Sequence, residues 1–164
     1  MMARKSTPAG PSFAVRPAVI GDSEAIGEMA QQFAAHRQTL GGDPAYYLTA
    51  ERIRADGFGP VPVFAGIVAA EEGMLLGYLL HHPAYATDLA ERYLVVCDLF
   101  VREAGRRRGI GRALMSAARA HCLAIGAAGL FWSVLETNKA ALAFYRGLGA
   151  ATAESLEFMW WPVA

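Results

Sequence analysis

The stretch that decides the fold is Cys97-Asp98-Leu99-Phe100-Val101-Arg102, followed after a short link by Arg106-Arg107-Arg108-Gly109-Ile110-Gly111-Arg112. An apolar strand runs there into a basic, glycine-bearing turn, and the turn opens a helix. Glycine lets the backbone approach a ligand closely, and the first N–H groups of a helix lack an internal partner and attract anions. The junction therefore predicts a site that holds a diphosphate against backbone N–H groups.

A basic turn with glycines also occurs in proteins that bind no anion. Here the turn follows a strand and begins a helix, which is the placement that anion binding requires, and this favours the functional interpretation. A P-loop is excluded because the sequence lacks Gly-Lys-Ser/Thr at this position. A Rossmann dinucleotide site is disfavoured because this strand comes late in the chain and no early glycine trio appears.

The composition predicts a folded domain of moderate size. The 164 residues are 54% hydrophobic and 18% charged, and Lys+Arg balance Asp+Glu at 15 each. We expect a flexible tail over residues 1–11 and a single domain over residues 12–164. Zero net charge argues against a nucleic-acid partner, and the lack of a long apolar run argues against a membrane span. Two cysteines without metal-type spacing favour a reducing, cytoplasmic setting and no metal.

Periodicity and turn signals predict alternating strands and helices. Asp22 or Ser23 caps the first helix, Asp43-Pro44 opens the second, Asp56–Pro60 forms a turn, and Pro83–Ala90 forms a loop. The predicted strands are Phe13–Val19, Val61–Glu71, Met74–His82, Arg92–Val101, Gly129–Leu135 and Leu156–Trp161. The predicted helices reach from 22 or 23 to 37, from 43 to 55, from 109 to 125 and from 138 to 148. This order indicates a mixed α/β domain.

The motif Arg106-x-x-Gly109-x-Gly111, together with Asn138 and Tyr145 seven residues apart, resembles the GNAT superfamily of acyl-CoA-dependent N-acetyltransferases. Three further segments resemble its diamine and thialysine N-acetyltransferase branch: Phe13–Ala18, Asp56–Gly59 and Asp98–Val101. The resemblance implies a GNAT-like fold, α/β or mixed α+β, with a central mixed, largely antiparallel sheet flanked by about four helices.

The resemblance also implies acetyl-CoA as co-substrate and a small-molecule primary amine as acceptor. The amine would attack the thioester directly, and Tyr145 would act as the general acid that protonates the departing thiolate. Backbone N–H groups of the central strand would polarise the thioester carbonyl. The residues implied for acetyl-CoA are Leu99, Phe100, Val101, Arg106, Arg107, Arg108, Gly109, Ile110, Gly111, Arg112, Asn138, Lys139, Ala140, Ala141 and Tyr145.

The general base is left open by the sequence. Asp98 is the best-placed carboxylate, but a structural role as hydrogen-bond acceptor is equally consistent with its position. Glu136 is a weaker second candidate. Cys97 could be a nucleophile, although a thiol on an apolar strand without a paired histidine is more often a small hydrophobe.

Two departures from the branch concern the acceptor. Cys97 stands where polyamine acetyltransferases place an acidic residue before the central Asp, and His36-Arg37 stands where they carry a Tyr-Glu pair. We expect His36, Arg37 and Cys97 to lie in the acceptor site. An arginine there would repel a polycation and could pair with a carboxylate, which favours a small amine with an acid group, or an amine that is not a polyamine, over spermidine.

Other interpretations remain open at this point. The chain could be a sensor that binds acyl-CoA without turnover, or it could acetylate a protein or peptide amine. The apolar end of the chain, with Trp160-Trp161, predicts a homodimer. His81-His82 at a strand end could not chelate one metal, because adjacent strand residues face opposite ways. His121 is expected to be a packing or surface residue.

Overall fold

The computed structural model describes residues 12–43 and 45–153. The chain forms two compact units, Met1–Ser133 and Val134–Ala164, and the second is described over residues 134–153. The predicted tail and the predicted last strand, Leu156–Trp161, lie outside the described residues.

The first unit contains a five-stranded sheet in the order β1-β2-β3-β4-β5. Neighbouring strands are antiparallel from β1 to β4, and β5 runs parallel to β4. This confirms the predicted mixed, largely antiparallel sheet. The strands are β1 Ala14–Pro17, β2 Ala65–Glu71, β3 Met74–Ala86, β4 Glu91–Val101 and β5 Gly129–Phe131.

The described residues form four α-helices, α1 Ser23–Thr39, α2 Ala50–Phe58, α3 Ile110–Ala124 and, in the second unit, α4 Lys139–Arg146. Buried residues of α1 and α2, such as Met29 and Ile53, pack with Tyr78 on one face of the sheet. The other face meets α3, where a Cβ at Gly77 would lie 3.3 Å from both Ile110 and Leu114. The inner face of α3 carries Ile110, Leu114, Ala118 and Cys122, which are all buried.

A β-bulge in β4 changes which side chains face α1 and α2. Leu80 pairs with Asp98 but His81 pairs with Val96, so Cys97 is the extra residue. Leu94, before the bulge, packs with Cys122 of α3, whereas Phe100, after it, packs in the α1 and α2 core. Because one extra residue shifts the two-residue alternation of a strand, the bulge turns Asp98 towards α1 and α2.

The predicted start of the second helix is wrong. Thr49 caps α2, and its hydroxyl accepts a hydrogen bond from the Arg52 N–H at 3.2 Å. The Asp43 carboxylate instead accepts from the Ala45 N–H at 2.8 Å, which forms a local turn. The helix then continues to Phe58, through most of the predicted turn.

The predicted loop over Pro83–Ala90 is also wrong at its start, because β3 continues to Ala86. Proline lacks a backbone N–H and is tolerated in a strand where no partner needs that donor. The pairing of β2 with β3 ends at Ala65 and His81, so Pro83 lies on a stretch of β3 that pairs only with β4. His81-His82 is therefore inside a strand and not at its end.

Candidate active site

The start of α3 provides backbone donors at the predicted diphosphate turn. Gly109 caps the helix in the left-handed region at φ 84°, and Arg107 also has a positive φ of 62°. The Ala113 N–H donates to the Gly109 carbonyl at 2.9 Å and makes the first helical hydrogen bond. The N–H groups of Ile110, Gly111 and Arg112 precede that bond, and the first turn contains no acidic residue. This end of α3 has the polarity that an anion requires.

The arginine side chains of the turn have different roles. Arg106 donates from Nε to the Val101 carbonyl at 3.3 Å, and this contact ties the turn to the end of β4. Arg108 donates to the Glu71 carboxylate and to the Ser12 hydroxyl, each at 2.6 Å. The Arg108 side chain is therefore held by Glu71 of β2 and by Ser12. Any contribution of Arg108 to an anion site would come from its backbone N–H.

A second cluster lies on the side of β4 that faces α1 and α2. The hydroxyl of Tyr46 donates to Oδ2 of Asp98, and the hydroxyl of Tyr78 lies 3.4 Å from the same oxygen. Tyr46 belongs to the extended segment before α2, and Tyr78 lies in β3. Both hydroxyls therefore contact the same oxygen of the Asp98 carboxylate.

The environment of Asp98 tunes its acidity in both directions. Burial raises the pKa of Asp98 above the ordinary range, and the two tyrosine hydroxyls and the charge of Arg37 partly offset that rise. Burial and the Asp98 charge also raise the pKa of Tyr46 and of Tyr78 well above the usual tyrosine value. Both hydroxyls therefore stay protonated and act as donors, and Asp98 is an acceptor with raised basicity.

Arg37 lies beside this cluster, whereas its neighbour His36 does not. The Arg37 guanidinium carbon lies 6.0 Å from the centroid of the Phe33 ring, and Phe33 packs edge-on against Tyr46 with ring centroids 6.1 Å apart. The Arg37 charge is close enough to lower the pKa of both Asp98 and Tyr46. His36 is exposed on α1. The structure thus brings Arg37, and not His36, to the side of Asp98.

Cys97, the extra residue of the bulge, is exposed and directly precedes Asp98. Partial desolvation and the neighbouring Asp98 charge raise the pKa of the Cys97 thiol to about 11. The thiol is therefore protonated at neutral pH, which makes it a poor nucleophile.

The edge of β4 opens beyond the bulge. Among the described residues, β4 pairs with β5 only from Tyr93 to Val95, although its pairing with β3 continues to Val101. Leu99, Phe100 and Val101 therefore lie where β4 has one strand partner. Backbone groups on the other edge of that stretch can serve a ligand.

The second unit, taken by itself, carries the remaining predicted residues on α4 or just before it. Asn138 caps the helix, and its Oδ1 accepts from the Ala141 N–H at 3.1 Å. Lys139, Ala140 and Ala141 form the first turn. Tyr145 is half-buried, with its ring 5.2 Å from that of Phe144 between centroids. Glu136 is exposed before the helix.

The sequence analysis missed Tyr46 and Tyr78. A tyrosine inside an apolar run, as in Leu75-Leu76-Gly77-Tyr78-Leu79-Leu80, is a signal, because a buried hydroxyl needs a partner. That signal does not name the partner. The β3–β4 register and the bulge at Cys97 supply it.

Comparison with known proteins identifies the family of this chain. Residues 31–150 match the model of the acetyltransferase (GNAT) family, and this is well over half of the chain. The chain belongs to this family.

Several characterised relatives act on amino acids, by their names. A thialysine N-epsilon-acetyltransferase of Sus scrofa is 29% identical over 147 residues, which cover 85% of this chain and 84% of the relative. A Bos taurus protein of the same name is 31% identical over 111 residues, 63% of this chain and 65% of the relative. An L-ornithine N5-acetyltransferase of Arabidopsis thaliana is 32% identical over 77 residues. That match spans 47% of this chain and only 34% of the plant protein.

Solved structures share the fold. A Bacillus halodurans protein superposes with a TM-score of 0.74 at 23% identity, covering 92% of this chain and 99% of its own. An aminoglycoside acetyltransferase from an uncultured soil metagenomic sample, solved with sisomicin, has a TM-score of 0.74 at 17% identity. That match covers 93% of this chain and 97% of the other. At these identities the likeness supports the fold alone.

Proposed function

We propose that the chain is an acetyl-CoA-dependent N-acetyltransferase that acts on the primary amine of a small molecule. The observation that carries the proposal is the order of features on β4. The strand carries a half-buried carboxylate just after its bulge, and it is followed by the start of a helix whose first turn contains no acidic residue. The carboxylate after the bulge suits an amine, and the helix start suits a diphosphate.

Acetyl-CoA fits the second of these ends. Its diphosphate would bind the backbone from Arg107 to Arg112 at the start of α3, where donors and dipole favour an anion. Its pantetheine would follow β4 over Leu99–Val101, where this strand, among the described residues, pairs with β3 and not with β5. A backbone N–H in this stretch would polarise the thioester carbonyl. Lys139, Ala140 and Ala141 would contact the same co-substrate.

The transfer would be a direct one. The amine lone pair attacks the thioester carbon, the carbon–sulfur bond breaks, nitrogen loses a proton and sulfur gains one. A protonated Cys97 thiol, with its raised pKa of about 11, disfavours a route through acetyl-cysteine.

Asp98 would receive the proton of the amine. A lysine-like amine is neutral in only about one molecule in a few thousand at pH 7, a cost of roughly 4–5 kcal/mol. An acceptor is therefore needed. The amine proton would go to Oδ1 of Asp98, since both tyrosine hydroxyls contact Oδ2. The raised pKa of Asp98 makes it a better base than an exposed aspartate.

Tyr145 would protonate the departing thiolate. Its assignment rests on its spacing from Asn138, which matches the family pattern. General acids of this kind contribute about a hundred- to ten-thousand-fold to the rate.

Arg37 would select the acceptor by pairing with a carboxylate. A cation beside Asp98 opposes a polyamine, whereas a zwitterion can place its amine at Asp98 and its carboxylate at Arg37. The thialysine and ornithine acetyltransferases among the relatives have names that fit such an acceptor. Cys97 and His36 would contribute less to the selection of the acceptor. Cys97 would contribute through its small size beside Asp98.

The test compares ornithine with putrescine, which differ by one carboxylate, as acceptors in a CoA-release assay. We expect kcat/KM to favour ornithine by at least about tenfold, the value of one charge-assisted hydrogen bond. Arg37→Ala should remove this preference, and Tyr145→Phe should lower kcat by about a hundredfold or more. Arg119→Ala is the control, because it removes an equal charge from an exposed position on α3. It should change neither the preference for ornithine nor kcat.

Three outcomes would contradict parts of the proposal. A preference for putrescine or spermidine would overturn the role of Arg37. Turnover on a peptide amine alone would indicate a protein acetyltransferase. Acetyl-CoA binding without turnover on any acceptor would indicate a sensor.

A further inference from the structure

Two histidines face each other between β3 and α3, away from the predicted diphosphate turn. His81 lies in β3 and is only 5% exposed, and His121 lies near the end of α3. Their ring centroids are 5.2 Å apart and the ring planes are inclined by 47°, so the rings do not stack. Eleven residues of helix separate Ile110 from His121, a rise of about 16 Å, so the pair is distinct from the start of α3.

His81 has an unpaired polar atom. Its Nδ1 is buried, and no hydrogen-bond partner reaches it from the part of the chain that the structure describes. The adjacent His82 differs, because its Nδ1 lies 3.0 Å from the Pro83 carbonyl. A buried polar atom without a partner costs free energy, and proteins that keep one commonly supply a water or an ion.

The spacing of the rings suits an ion. Zinc binds histidine nitrogen at about 2.0–2.1 Å in tetrahedral sites, and a ring nitrogen lies about 1 Å from its ring's centre, so two ligating rings have centres about 5 Å apart. The observed 5.2 Å agrees with this value without any movement of the backbone. A direct hydrogen bond between the rings would give a similar spacing, but Nδ1 of His81 makes no hydrogen bond within the described residues.

The chemistry of the pair also suits an ion. Neutral imidazole is a ligand that copper and zinc favour. His121 is exposed, which gives an ion a path to the buried ring.

We propose that His81 and His121 form a binding site for a divalent transition-metal ion of the zinc and copper class. No set of three or more Cys, His, Asp or Glu suited to a metal occurs among the described residues, so water would complete the coordination. The bound ion would join the end of α3 to the centre of the sheet. This proposal replaces the expectation that the chain holds no metal, and it does not depend on the proposed acetyltransferase activity.

The test uses full-length protein without a histidine tag, stripped of metal by a chelator. Cu²⁺ is titrated in and followed by electron paramagnetic resonance, and Zn²⁺ affinity is measured by competition with a chromophoric chelator. We expect one equivalent to bind, with a spectrum that indicates two nitrogen ligands. His121→Ala should weaken binding by about tenfold or more.

His82→Ala is the matched control, because it removes a neighbouring imidazole whose nitrogen already has a contact. It should leave the metal affinity unchanged. His121 is exposed, so its alanine variant is expected to fold, and circular dichroism checks this. His81→Gln gives a second test of the buried ligand.

Two results would overturn the site. One is wild-type protein that takes up no equivalent of either ion, which would mean that water satisfies His81. The other is a His121→Ala variant with unchanged affinity, which would place any bound ion elsewhere.

Discussion

At Asp98, two tyrosine hydroxyls converge on one oxygen of a carboxylate whose pKa is raised by burial. Each hydroxyl stabilises the ionised form, because it can donate to a carboxylate but gains less from a carboxylic acid. Tyr46 comes from the segment before α2, so the protonation of Asp98 depends on a residue far away in sequence.

Replacing Tyr46 by phenylalanine should raise the pKa of Asp98. The variant loses a donor to the ionised carboxylate, and hydrogen bonds to charged groups contribute about 1.5–3 kcal/mol, or about one to two pH units. If Asp98 is the base, activity is lost as pH falls through its pKa. The acid limb of the kcat/KM profile should therefore move upward in pH by that amount. A pH profile from pH 4 to 9 measures the shift.

Tyr47→Phe provides the control, since Tyr47 is the next residue and is 82% exposed. Its profile should match that of the wild type. Asp98→Asn keeps an acceptor for the tyrosines but cannot take a proton, and it should lose about a hundredfold or more in kcat/KM. Full activity in Asp98→Asn would assign Asp98 a structural role only.

At the scale of elements, α3 connects the proposed diphosphate site at its start to the apolar core. Ile110, its first residue, is buried, while the turn just before it is exposed. Gly105 lies under the turn, where a Cβ would be 3.0 Å from Ile110 and 3.1 Å from Val101. The apolar face of the helix thus fixes the direction in which the N–H groups of its first turn point.

Gly109→Ala should weaken acetyl-CoA binding more than it weakens the fold. An alanine at φ 84° costs about 1–2 kcal/mol, and its methyl group stands at the backbone that a diphosphate would approach. Gly126→Ala is a matched variant, because Gly126 also has a positive φ of 66° and open space around its Cβ position. We expect similar losses of unfolding free energy in urea, and a KM for acetyl-CoA raised several-fold in Gly109→Ala alone.

Equal KM values for the two variants would contradict a diphosphate site at the start of α3. A matching rise in both would indicate that backbone strain, and not the ligand, is responsible.

Elements whose sequence pattern lies within the element itself were predicted well. The helix predicted from residue 109 is confirmed as α3, because the glycine at its start and the buried apolar residues that follow it are close in sequence. The start of α2 was missed because Asp43-Pro44 and Thr49 both resemble helix caps, and tertiary packing of Ile53 selects the later one. The length of β3 depends on where β2 ends, and a sequence does not specify this pairing.

The hydrogen-bonded cluster around Asp98 depends on contacts between residues that are far apart in sequence. Asp98 was recognised, but the bulge at Cys97 sets its direction, and a bulge leaves no sure mark in one sequence. Helix phase alone left the direction of Arg37 open, and the contacts with Phe33 determine it. Tyr46 and Tyr78 reach Asp98 only through the fold.

At the scale of the whole chain, the family match crosses from the first unit into the second, over residues 31–150. The described residues contain no helix that is long and apolar enough to cross a membrane. The predicted homodimer remains a prediction. If the chain binds acetyl-CoA as proposed, the ligand should raise the stability of the whole molecule.

Acetyl-CoA should stabilise the folded chain through its nucleotide end. A ligand at about a hundred times its Kd adds about 2.7 kcal/mol to the free energy of unfolding when it binds only the folded state. For a chain of this size that corresponds to a rise in Tm on the order of 5–10 °C. CoA should give a similar rise, since it shares the diphosphate, whereas acetyl-pantetheine, which lacks it, should give little. Thermal unfolding with each ligand at low and high salt tests this, because screening should reduce the CoA effect. Equal stabilisation by acetyl-pantetheine would mean that β4, and not the start of α3, supplies the binding energy.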